Sequence, residues 1–178
     1  TAYCAILPSA LELVRGVDTA TAGSMAAIIT VGSFFACFAG PAAVLKLGKN
    51  KPFLIVTTVI AAGVMVATWF LPLGTVMWVA LVLNGFMTAL SGPIIQAMTP
   101  DLPEIGAKYA GSAGGIIGTV GLLCSYFVPV IVSSISGDNW TLNFTIESIL
   151  FLASVLPIAM LPETGAAAKA EMPETSEL

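Results

Sequence analysis

No histidine occurs in this 178-residue chain, and only 9% of its residues are charged. A soluble domain carries about 25% charge, so a water-facing surface cannot be built from this composition. Membrane enzymes place histidines, clustered carboxylates or metal ligands within their spans. This chain has neither histidine nor such clusters, so it is expected to be no enzyme and to need no metal or cofactor. Cysteine is scarce too. Cys4, Cys37 and Cys124 sit singly in apolar runs without CxxC spacing, which reads as small buried residues and not as a metal or redox centre. A charged leader is also missing, because the chain opens on Thr1 in an already apolar run. That start reads as a fragment and not as a cleavable signal peptide.

What is present is apolar: hydrophobic residues make up 57% of the chain. With about 20 apolar residues per span, the length allows at most about eight helices. A membrane β-barrel needs ~10-residue segments of alternating polarity, whereas the apolar runs here are long and unbroken. The predicted fold class is therefore an all-α polytopic membrane protein. Five complete spans are drawn at about 22–45, 53–71, 76–98, 110–133 and 142–161, each bounded by Pro, Gly, Asn or Asp. The opening stretch, 1–14, is too short to cross a bilayer and reads as the outer end of a sixth span. The bundle thus occupies 1–162. Residues 163–178, with four acids and one lysine, read as a disordered acidic tail.

Lysine and arginine orient the chain. Lys46, Lys49 and Lys51 crowd one short loop. With that loop in the cytoplasm, Lys108 and Lys169 fall on the same side and only Arg15 opposite. The positive-inside rule then puts the C-terminus in the cytoplasm of a plasma (inner) membrane. The segment "LPETG" at 161–165 has the spelling of a cell-wall sorting signal, but such a signal precedes its apolar span and basic stop. Here the span comes first and an acidic tail follows, so the sorting reading fails. The sequons at Asn139 and Asn143 lie close to the membrane and read as chance occurrences.

The spans differ in polarity. The span 53–71 offers only Thr57, Thr58 and Thr68, with Trp69 near its outer end, which predicts a lipid-facing helix with an interfacial aromatic. The last span reads alike apart from Glu147 and two serines. Glu147 lies about a turn and a half from the helix start, and an outer-interface position is the first reading for it, with a buried proton carrier the second.

In the third span Asn84, Thr88 and Ser91 fall on one stripe at helical spacing, with Gly85, Gly92 and Gln96 on the adjoining face. Amides are costly against lipid, so the stripe reads either as helix–helix glue or as the polar wall of a solute pathway. Pro93, next to Gly92, predicts a bend. In the fourth span Gly111, Gly114, Gly115, Gly118, Gly121 and Ser125 occupy one arc that includes two GxxxG pairs, predicting a close helix crossing. Beside it Ser112, Thr119 and Tyr126 recur every seven residues. That line either borders a cavity or bonds back to its own helix. In the first full span Gly32, Ala36 and Gly40 form a small-residue ridge beside the mildly polar Thr30, Ser33 and Cys37. There packing is the first reading and a pathway the second.

Taken in order, these features resemble the C-terminal half, helices seven to twelve, of a major facilitator superfamily transporter. "KLGKNK" resembles the basic loop between helices eight and nine. Lys46, Gly48 and Lys49 match its pattern, and Leu45 stands where the family has an acid. "PDLPEIGAKYAGSAGGIIGTVG" is similar to the junction of helices ten and eleven, and "LPETG" resembles the ending after helix twelve. The resemblance implies a twelve-helix secondary transporter working by alternating access, of which this chain is one half. It implies helices seven, eight, ten and eleven around a central cavity and nine and twelve at the periphery. Asn84, Thr88 and Ser91 would then face the cavity, with Ser112, Thr119, Tyr126, Thr30 and Ser33 as further substrate-binding candidates. Gly111, Gly114, Gly115, Gly118, Gly121, Gly32 and Gly40 would pack helices. The implied partners are membrane lipid, the missing N-terminal half and a small-molecule substrate, with no nucleic acid. The alternative is a non-transporting polytopic scaffold or channel subunit.

Overall fold

Inside hydrocarbon a backbone must satisfy its own polar groups, and a single apolar segment does so as an α-helix. The computed structural model describes residues 2–102 and 105–162, and among these residues it has helices and no strand. The helices are α1 (Ala2–Arg15), α2 (Thr19–Leu47), α3 (Asn50–Phe70), α4 (Thr75–Ala89), α5 (Ser91–Met98), α6 (Gly106–Ser136), α7 (Trp140–Ala153) and α8 (Val155–Met160). A 3₁₀ turn, Thr99–Asp101, follows α5. Five stretches are long and apolar enough to cross a membrane: Thr19–Lys46, Asn50–Phe70, Thr75–Met98, Lys108–Ser136 and Trp140–Met160. The chain is an integral membrane protein. The acidic tail 163–178, with Lys169, lies outside the described residues.

Local chemistry sets the helix ends. Asp18 accepts the Ala20 N–H at 3.1 Å at the start of α2, and Asn139 accepts the Leu142 N–H at 3.0 Å at the start of α7. At the other end of α2, Gly48 adopts φ +69° and returns its N–H to the Val44 carbonyl at 2.8 Å. A left-handed closure of this kind favours glycine, which accounts for the glycine in the lysine-rich loop.

Two spans are broken, and proline sets both positions. Pro93 has no N–H for the Ala89 carbonyl; α4 ends at Ala89 and α5 restarts at Ser91. Pro157 stands in the same relation to Ala153, where α7 ends before α8 restarts at Val155. The bend expected around Gly92–Pro93 thus falls one turn earlier, at the carbonyl that loses its donor. Pro8, Pro41 and Pro129 lie within continuous helices.

The tightest crossing joins α2 and α4. A methyl group added at Gly32 would strike the Val82 carbonyl and the Phe86 backbone nitrogen; one at Gly85 would strike the Ile29 carbonyl. Farther along, a methyl at Gly40 would meet the Leu90 carbonyl at 3.0 Å. Ser33 Oγ sits 3.1 Å from both the Ile29 and the Gly85 carbonyls, bridging the two helices. Gly85, which the sequence places on an adjoining polar face, lies in this crossing.

Burial is distributed differently from the expectation. The α3 helix is the most buried of the five spans, with 44% of its most apolar window inside the bundle, against 11% for α6. The presumed lipid-facing threonines Thr57, Thr58 and Thr68 point inward. Each hydroxyl donates to a carbonyl of its own helix, so an apolar surrounding costs it little. Trp69 is buried against protein instead of facing lipid: its Nε1 donates to Thr141 Oγ1 at 2.9 Å, and the Arg15 guanidinium lies 5.1 Å from its ring centre. Arg15 also donates to the Trp69 and Leu71 carbonyls. A cation there meets the negative end of the α3 dipole and ties α1 to α3.

The α2–α4 crossing carries a stability prediction. Gly85→Ala drives a methyl into backbone that cannot swing aside and should cost about 1–3 kcal/mol. Gly63→Ala, where a methyl meets open space, should not lower the melting temperature of the purified full-length protein and should raise it slightly, because alanine favours a helix interior over glycine. Equal melting temperatures for the two variants would show that the crossing is not tight.

Candidate functional site

Two apolar clusters fill the bundle. One, toward the Arg15 end, gathers Tyr3, Leu7, Ile29, Met65, Leu81 and Phe144 with their neighbours; the other, toward the lysine loop, gathers Leu54, Ile94, Met98 and Ile158. Where they meet lies a cavity of about 540 Å³. Six helices and the short α8 reach it, and its polar lining comes from Tyr3, Thr88, Ser91, Ser125, Glu147 and Ser154. Both proline breaks border it, since Thr88 and Ser91 flank the first and Ser154 and Pro157 flank the second. Counted from Thr75 and from Trp140, the breaks lie at nearly the same depth, about 22 Å along at 1.5 Å per residue.

Glu147 is the principal finding. It is 4% exposed, and neither carboxylate oxygen has a hydrogen-bond partner. The outer-interface position expected from its distance to the helix start is therefore corrected. The α7 helix packs against α1, α3 and α6, and the face carrying Asn143, Phe144, Glu147 and Ser148 points into the bundle. The Tyr3 hydroxyl, on a residue 1% exposed, is likewise unpartnered. Phe144 stacks between Tyr3 (4.9 Å) and Trp69 (4.5 Å), so an aromatic row leads from Arg15 to the cavity. The signal for Glu147 was already in the sequence, as a carboxylate inside an otherwise apolar run.

The stripe read from the third span divides. Thr88 and Ser91 line the cavity, the Thr88 hydroxyl bonding back to the Asn84 carbonyl at 2.8 Å. Asn84 is fully buried but is not among the lining residues, and its Nδ2 has no partner. Gln96 is exposed. Ser33 belongs to the α2–α4 crossing, and Thr30 borders a shallow hollow with Phe34 and Phe35 on the outer surface of α2. Ser112, Thr119 and Tyr126 lie exposed on α6, with the Thr119 hydroxyl bonded back to Gly115 at 2.9 Å. The structure therefore does not gather the eight substrate-binding candidates into one site.

The glycine candidates divide as well. Gly32 and Gly40 are buried in the α2–α4 crossing, whereas a methyl at Gly111, Gly114, Gly115, Gly118 or Gly121 would meet nothing within 4 Å. The close crossing expected along α6 is not formed among the described residues, because no helix stands against that arc. Lys46 and Lys49 are exposed beside Gly48. Asn143 is buried and donates to Ser133 Oγ at 3.1 Å, which leaves no room for a glycan.

A reactivity map tests the cavity. With the three native cysteines replaced, Ser91→Cys and Ser125→Cys should react readily with a small charged thiosulfonate, and Thr58→Cys, buried with its hydroxyl against its own helix, should resist. Equal protection at all three positions would mean that the cavity is closed to water.

Comparison of the chain with protein-family models, with characterised proteins and with solved structures gives no match. Its functional reading rests on this geometry and on the sequence pattern.

Proposed function

We propose that this chain is the six-helix half of a major-facilitator-type secondary transporter that moves a small solute by alternating access. The observation that supports it best is the cavity bordered by two helices that break at nearly the same distance from their starts. Interrupted helices put polar groups at mid-membrane depth where a cavity can use them, and transporters place their sites there. Thr88, Ser91, Ser125 and Ser154 supply hydroxyls to that space. The close α2–α4 crossing supports the first broken span up to its break, and α3 supports the second.

The open glycine arc of α6 supports the second element of the reading. Glycines let backbones approach closely in lipid, and this flat surface fits a second helical bundle, the N-terminal half. In this reading the lysine loop and the C-terminus are cytoplasmic, and the membrane is the plasma (inner) membrane. A scaffold would have no use for an unpartnered carboxylate beside a cavity, and a channel would not need alternating access.

Uptake by the full-length protein in proteoliposomes tests the proposal, using a radiolabelled metabolite panel with and without a proton gradient. The expected result is saturable uptake with counterflow, and a raised KM for Thr88→Val and Ser91→Ala. Uptake without counterflow would favour a channel, and no uptake of any solute would favour a scaffold. A second expectation concerns the arc: Gly118→Leu should prevent the full-length protein from assembling, and Gly63→Leu should not. A well-assembled Gly118→Leu protein would remove the docking role.

A further inference from the structure

The cavity carries one charge-bearing side chain and an otherwise mostly apolar wall. Among the described residues none that lines it is basic. The guanidinium of Arg15 is engaged by the Trp69 and Leu71 carbonyls. A carboxylate taken out of water and left unpaired is costly, so this group holds a proton when the cavity is empty and ionises where a cation stands against it. An anion entering this space would find no positive group to meet. A hard metal ion needs about six oxygen ligands, and no group of three or more His, Cys, Asp or Glu exists among the described residues.

The remaining wall narrows the ligand further. Tyr3 and Phe151 bring aromatic rings to the cavity, and Met65, Ile95 and Ile158 bring aliphatic surface. Aromatic faces attract cations, most strongly where water is excluded. A volume of about 540 Å³ falls within the ~300–1,000 Å³ typical of small-molecule sites.

We propose that this cavity binds monovalent organic cations with an apolar body, their charge set against Glu147 and the Tyr3 ring. The apolar body lies against Met65, Ile95, Phe151 and Ile158, and the Tyr3, Ser91 and Ser154 hydroxyls serve any polar substituent. This assignment names the substrate class of the transporter reading and rests on it for its physiological meaning, but binding is measured apart from transport.

The probe is radiolabelled tetraphenylphosphonium, with tetraphenylborate as a control of equal size and opposite charge, added to purified full-length protein. Binding of the phosphonium should saturate and should weaken about tenfold or more in Glu147→Gln, the loss expected from removing one charged contact. Tetraphenylborate, tested separately because the two ions precipitate together, should neither bind nor protect Glu147. A measurement without any variant stands beside it: dicyclohexylcarbodiimide should modify Glu147, and the phosphonium should slow that modification, read by mass spectrometry. If Glu147→Gln fails to fold, this protection decides the matter. Unchanged affinity in a folded Glu147→Gln protein, equal protection of Glu147 by the borate tested alone, or no protection of Glu147 by the phosphonium would overturn the proposal. Solute uptake without cation binding would sink the ligand class and leave the transporter reading intact. Cation binding without uptake of any solute would do the reverse.

Discussion

Hydrocarbon offers a helix no hydrogen-bond partner, and that single constraint arranges nearly every polar group described in this protein. Thr57, Thr58, Thr68, Thr88 and Thr119 return their hydroxyl protons to carbonyls of their own helices. Asp18 and Asn139 hold helix starts, Arg15 holds a helix end, and Ser33 spans a crossing. Against this background the exceptions stand out. Tyr3, Asn84, Ser136, Asn143, Glu147 and Ser148 each keep a buried polar atom without a hydrogen-bond partner, and of these Tyr3 and Glu147 line the cavity. In a medium that forbids idle polar groups, the carboxyl among them is the costliest to leave so.

The same constraint explains why the cavity sits where the helices break. Proline withholds a donor from the carbonyl one turn earlier, and in lipid such a carbonyl is tolerated only beside protein or water. Pro93 and Pro157 withhold theirs from Ala89 and Ala153, and both breaks adjoin the cavity. Toward the Arg15 end α4 is fixed against α2 at Gly85, and toward the lysine loop α5 packs on α2 beside Gly40 and buries Ile94 and Met98. One span is therefore held on both sides of its break, with the site at the joint.

Fold class, the five apolar spans and the bend near Pro93 were legible in the sequence because each is a local property: run length, hydropathy and a missing N–H. Neighbourhood is not local. Thr57, Thr58 and Thr68 satisfy themselves within their helix, so their presence carries no information about which way α3 faces. Glu147 was misplaced for a related reason. Its distance from the helix start gives depth along the bilayer normal, whereas its burial comes from α1, α3 and α6 surrounding α7. Thr88 and Ser91 were readable as a stripe, but Asn84, on that same stripe, turns out to lie beside the cavity wall and not in it. Periodicity gives the face of a helix to within a broad arc and does not resolve what lies at each edge of it.

Glycine spacing shows the limit most plainly. The α2–α4 crossing needs flat surfaces on both helices at one height, and it finds them in Gly32 and Gly85, neither of which belongs to a GxxxG pair. A methyl added at any glycine of the arc with two such pairs, on α6, meets nothing within 4 Å, and the far end of that arc, Gly121 and Ser125, borders the cavity. A GxxxG pair therefore states that a surface is flat and leaves open what lies against it. A helical glycine costs roughly 0.5–1 kcal/mol relative to alanine, and five on one exposed arc add up to a penalty that no contact among the described residues offsets. In the transporter reading a second bundle offsets it, by dispersion contacts that only a flat backbone surface allows. In that same reading the glycines of α6 would form the proposed interface, and the unpartnered carboxyl of α7 would meet the proposed ligand.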